Sequence, residues 1–100
     1  MKLVSIKKAT DGKHKYTATF DNDGRTKTTH FGASGYKDFI QYSKEGGDIA
    51  AKHKASYLAR HKTTEKWSDP TTAGSLSRYI LWGEPTLAAS IKSFKNKFGL

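Results

Sequence analysis

WSDPTTAGSLSRYILWGEPTLAASIKSFKNKF, residues Trp67 to Phe98, holds two helix starts, one helix stop and an apolar face on a basic background. Asp69-Pro70 predicts the first start, because Asp accepts from free backbone amides and Pro fits the first helical position. Thr71 or Thr72 is the alternative cap. The helix then runs through Leu76, Tyr79, Ile80 and Trp82 and stops at Gly83, a residue able to take the left-handed conformation that closes helices. Glu84-Pro85-Thr86 restarts the chain. Leu87, Ile91, Phe94 and Phe98 follow at i, i+4, i+7 and i+11, a single apolar stripe, with Lys92, Lys95 and Lys97 off it. Helices of this kind need another layer to bury their stripes.

That layer lies upstream. Val4 and Ile6 alternate with polar neighbours, and Tyr16, Ala18 and Phe20 alternate with Thr17 and Thr19, so both runs read as strands with one inward face. Asp11-Gly12 separates them, and Asn22-Asp23-Gly24 separates the second from a third run, Arg25 to Phe31. Asp-Gly favours hairpin turns because both residues tolerate positive φ. The expectation for residues 1–32 is a three-stranded antiparallel meander. Residues 33–47, with Gly32-Ala33-Ser34-Gly35 and Gly46-Gly47 as breaks, read as irregular or a short helix around Tyr36–Tyr42. Residues 48–98 form the helical part, opening with an Asp48-capped helix from about Ile49 to His61. The fold class is therefore α+β: one small domain spanning residues 1–100, a meander followed by about three helices.

With 100 residues, 35% hydrophobic and 12% aromatic, the chain can build one modest core and no second full domain. Zero cysteines exclude disulfides and thiolate metal sites. The opening MKLVSIKKATDGKHK is broken at Ser5 and ended by Lys7 and Lys8, so it does not read as a signal peptide. No apolar run approaches the ~20 residues of a membrane span.

Catalytic patterns are missing. His53 and His61 are eight apart with no acid of that helix between them, a poor metal pair beside His-x-x-x-His spacing. There is no G-x-S-x-G elbow and no G-x-x-x-x-G-K-[ST] loop, although Gly32-Ala33-Ser34-Gly35 after a strand resembles a weak phosphate cradle. The reading is a non-enzyme with no metal and no cofactor.

Charge is the stronger signal. Eighteen Lys and Arg against nine Asp and Glu give a net charge of +9, which suggests a polyanionic partner, DNA or RNA contacted through its phosphates. Lys52, His53, Lys54, Arg60, His61, Lys62 and Lys66 cluster against the single acid Glu65, and Lys92, Lys95 and Lys97 add a second ridge. Lys52 and Lys54 stand ~200° apart on a helix, so they cannot share one narrow face. Arg78 has three readings: phosphate contact, a pair with Asp69, or cation–π cover of Trp82. The candidate nucleic-acid residues are thus Lys52, Lys54, Arg60, His61, Lys62, Lys66, Arg78, Lys92, Lys95 and Lys97. Tyr16, Phe20 and Phe31 suit a base-stacking platform, but a small sheet needs them first as core.

HFGASGYKDF (30–39), YLARH (57–61) and EKWSDPTTAGSLSRYILWGEPTLAASI (65–91) resemble a family of small basic proteins encoded by large nucleocytoplasmic DNA viruses of algae and amoebae. The likeness covers roughly residues 15 to 98, is thinnest over Gln41 to Ala55, and is most distinctive at W-S-D-P and S-R-Y-I-L-W. It implies a viral origin and a non-secreted life in a virion or the nucleus or cytoplasm of an infected cell, and it transfers no catalytic residue. The expected function is a viral accessory protein that binds nucleic acid largely non-specifically and is packaged with the genome. The rival is a structural virion component, minor capsid or scaffold, that docks on virion proteins through Tyr36, Phe39, Tyr42 or Trp67.

Overall fold

A computed structural model describes residues 1–62 and 67–100. Strands β1 (Lys2–Lys8), β2 (His14–Asn22) and β3 (Arg25–Ala33) form an antiparallel sheet in the order β1-β2-β3. Helices α1 (Phe39–Ser43), α2 (Gly47–His61) and α3 (Ala73–Leu76), a π-helical segment (Ser77–Leu81) and α4 (Leu87–Phe98) follow. The expected α+β meander is present.

The β2–β3 hairpin follows its sequence signal closely. Asn22 pairs with Arg25, and the two residues between them, Asp23 and Gly24, have φ of 52° and 86°, the left-handed pair that a tight twisted hairpin requires. Tyr16, Ala18 and Phe20 face inward as expected, with Ala18, Phe20 and Phe31 buried. The other connection differs from the expected two-residue Asp-Gly turn. It spans residues 9–13, and the Asp11 carboxylate organises it by accepting from the Lys13 and His14 amides and contacting His14 Nδ1 at 2.6 Å. Those bonds, led by the one to the His14 ring, hold the Asp11 carboxyl well below the usual carboxylate range.

β1 carries a correction. Val4, read as inward, is 60% exposed, whereas Leu3 is buried and Ile6 packs on the core. Leu3 opposes Phe20 but Ser5 opposes Thr19, so the register shifts at Val4. An extra residue in one strand inverts the facing of all that follow, which puts Leu3 and Ile6 on one side.

The helical part departs from the first expectation at three ends, the α3 start using the alternative cap, Thr72. α2 begins at Gly47 with Gly46 as its cap, and Asp48 lies inside the first turn, where its charge favours the amide end, instead of capping it. Asp69 does not cap α3: its Oδ1 accepts from the Thr71 amide and hydroxyl, and Thr72 is the cap, accepting from Ser75 N. Gly83 does not close its helix by going left-handed. Trp82 ends it, with φ −115° and ψ 22°. Gly83 is instead a point of contact, because a Cβ there would stand 2.1 Å from the Tyr79 carbonyl oxygen. The left-handed stop occurs at Gly99 (φ 66°), which closes α4.

The π segment explains the core. Trp82 N bonds to Ser77 O, an i→i+5 link, and the wider turn buries Leu81 together with Leu76 and Ile80, the i, i+4 pair. These residues meet Leu3, Ala18, Phe20 and Phe31 from the sheet and Phe94 from α4. Each fully buried Phe or Leu contributes about 1.5–3 kcal/mol. The α4 stripe is as expected: Phe94 is buried, and Leu87, Ile91 and Phe98 pack against the same cluster. Buried Ser90 completes the contact, its hydroxyl accepting from Glu84 N beside Gly83. Tyr57 carries α2 into the core by stacking on Trp82 at 4.5 Å.

Candidate nucleic-acid interface

The ten candidate residues separate into an outward and an inward group. Lys52, Arg60 and Lys62 are exposed on α2, and Lys92, Lys95 and Lys97 are exposed on α4. None of Lys52, Arg60, Lys62, Lys92 and Lys95 makes an ion pair among the described residues. Lys97 lies over the Tyr79 ring at 5.2 Å, a contact that covers apolar surface and leaves the ammonium in water. Lys66 lies outside the described residues.

Lys54 and Arg78 have a different task. Lys54 Nζ donates to Gly83 O at 2.9 Å and lies 4.8 Å from the Phe39 ring centroid. Arg78 Nη1 donates to Trp82 O at 3.2 Å, and its guanidinium covers Trp67 at 5.5 Å and Tyr79 at 4.9 Å. Both cations therefore sit at the carbonyl end of the π segment, where unpaired C=O groups and the helix dipole favour positive charge. Burial lowers the Lys54 pKa, with nearby Arg78 adding to the effect and Glu84 opposing it. Of the three readings of Arg78, the Asp69 pair is absent because that carboxylate holds Thr71, and Trp82 is met through its carbonyl instead of its ring. The ~200° between Lys52 and Lys54 is visible directly: one points out, the other in.

Arg60 opens onto a cleft of about 360 Å³ between the end of β3, the last turn of α2 and the start of α3. His61 lines it too, half-buried and stacked on Tyr57 at 4.3 Å. The facing wall is the loop after β3, with Tyr36 and Lys37. Two ion pairs pin that loop. Lys15 Nζ reaches Asp38 at 2.8 Å and Gln41 Oε1 at 3.0 Å, while Asp38 and Gln41 cap α1 reciprocally; Lys37 pairs with Glu45 at 3.2 Å. Gly32, at φ 79°, brings β3 against Leu81, where a Cβ would come within 2.6 Å of the Leu81 Cδ1. The Gly32–Gly35 segment read as a weak phosphate cradle thus lines this cleft and a second hollow beyond the loop.

Sequence reasoning missed Tyr36, Lys37 and Lys15 as part of a basic cleft. The available signal was an aromatic directly after Gly35, in a break between elements. The remaining histidines are engaged: His53 stacks on Tyr42 at 3.8 Å, and His14 and His30 stack at 5.7 Å. No helix among the described residues is long and apolar enough to cross a membrane.

A model for a family of unknown function, DUF5754, matches residues 4–61, from β1 through the end of α2, and so includes Tyr36, Lys37, Arg60 and His61. No curated protein and no solved structure matches the chain.

Proposed function

The chain belongs to that family of unknown function, and from this premise we propose that it binds DNA or RNA through phosphate contacts, without catalysis and with little reading of sequence. The observation that carries the reading is the set of outward cations, Lys52, Arg60, Lys62, Lys92 and Lys95, which have no acidic partner among the described residues in a chain of net charge +9. Unpaired surface cations concentrate phosphate and release its counterions on contact. The setting we propose, taken from the resemblance to proteins of large DNA viruses, is packaging with the genome in a virion or a place inside the infected cell.

The structural-component reading needs an exposed aromatic patch, and the aromatics are otherwise engaged. Phe39 lies under Lys54, Tyr42 on His53, and Trp67 against Arg78. Only Tyr36 of those four anchors is exposed. This supports nucleic acid over a protein shell as the partner.

The test is fluorescence anisotropy of labelled DNA and RNA across a salt series, with wild type and the Lys52→Gln, Arg60→Gln, Lys62→Gln triple variant. The triple variant is expected to bind more weakly and to lose about two units of salt slope, at up to ~0.7–0.9 per phosphate contact. Unchanged affinity and slope would remove this surface from the account.

A further inference from the structure

We propose that the cleft under Tyr36 takes one unstacked nucleotide of a single strand, with its base against the Tyr36 ring and a flanking phosphate at Arg60. The inference rests on the nucleic-acid reading above and narrows it to single strands. Of the five tyrosines, Tyr16, Tyr42, Tyr57 and Tyr79 each have an aromatic partner within the fold. Tyr36 has none among the described residues and is 73% exposed, beside a cleft of about 360 Å³. That volume falls in the range of small-molecule pockets, ~300–1,000 Å³, and suits a nucleotide rather than an extended surface.

The charges around it are arranged to match. Lys15 and Lys37 are neutralised by Asp38 and Glu45 and hold the loop in place, while Arg60 across the cleft has no acidic partner among the described residues. On the other side of the loop a hollow of about 750 Å³ shares Tyr36 and Lys37 and adds Lys8 and Lys44, neither of them ion-paired among the described residues. Cations therefore flank Tyr36 on both sides. A strand crossing the loop would set successive phosphates on either side of a stacked base, the combination that single-strand grooves use. A duplex offers phosphates but keeps its base faces stacked internally. An acidic peptide would meet the cations and leave the ring unused.

The experiment compares a labelled single strand with an abasic strand of the same length, a duplex and a poly-glutamate peptide, by anisotropy at fixed salt. Wild type is expected to prefer the base-bearing strand to all three. Tyr36→Ala is expected to lose that preference, weakening the base-bearing strand about fivefold to 150-fold, the span of one base–aromatic stack, while leaving the abasic strand unchanged. Tyr36→Phe keeps the ring and should retain the preference; Arg60→Gln should weaken both strands. Tyr36 is exposed, so equal melting temperatures will confirm intact variants. Equal wild-type affinity for base-bearing and abasic strands would overturn the cleft and leave phosphate binding standing. Tighter binding to duplex or to poly-glutamate would overturn it as well. Failure to bind any strand would overturn the nucleic-acid reading itself.

Discussion

Two sets of cations meet different surroundings and behave in opposite ways. At the end of the π segment, Lys54 and Arg78 donate hydrogen bonds to the carbonyls of Gly83 and Trp82 and cover Phe39, Trp67 and Tyr79. In the cleft and along the outer face of α2, Arg60, Lys52 and Lys62 touch no acid among the described residues. A count of basic residues treats the two sets alike. Their energetics differ: a side chain bonded to a helix-end carbonyl holds the fold through that bond and its packing and is withdrawn from a partner, while an unpaired exposed cation adds little to stability and remains available.

The largest test of this contrast strikes the inward site without touching charge. Gly83→Ala puts a methyl against the Tyr79 carbonyl and is expected to cost about 3 kcal/mol or more in urea unfolding, because the obstacle is backbone in a packed region. Arg78→Met and Lys54→Met come next, with about 1–3 kcal/mol for the first and somewhat less for the second, each losing a charged donor to a carbonyl. Both should alter strand affinity less than the outward triple variant does. If either variant lost affinity as the triple does while keeping its stability, the division into two sets would fail. The outward triple variant should show the reverse pattern, with stability within about 0.5 kcal/mol of wild type and a clear loss of binding.

The smallest effect is a pH dependence confined to the inward set. Because burial lowers the folded-state pKa of Lys54, its charge opposes folding below that value, and the penalty disappears as pH rises toward the ordinary 10.5. Wild type should therefore gain stability relative to Lys54→Met with rising alkaline pH, as read from paired unfolding curves. A flat difference would mean that the ammonium is as well solvated as in the unfolded chain, and a reversed one that the Gly83 carbonyl and Glu84 outweigh burial.

The sheet was largely legible in sequence because its signals are local. Asn22-Asp23-Gly24 dictates positive φ at consecutive residues, and the Tyr16, Ala18, Phe20 alternation needs only a period of two. Val4 was misplaced because a bulge adds a residue without a marker in composition. The α4 stripe was legible for the same reason as the hairpin, while the π turn was not, since Leu76, Ile80 and Leu81 fit a regular helix pattern almost as well. At the cleft, the outward placement of Lys52 and Arg60 could be anticipated from helical geometry, but Tyr36 acquired its meaning from a facing wall supplied by α2, many residues away.

By itself the amino-acid sequence determined the α+β class, the β2–β3 hairpin, the α4 apolar stripe and the net charge of +9, all properties of neighbouring residues or of composition. Only the tertiary structure decided which cations are free, where Gly83 is indispensable, and that Tyr36 overlooks a basic cleft. Those outcomes depend on which carbonyl, ring or acid lies opposite a side chain, and such partners come from elements distant in sequence that meet when the core closes.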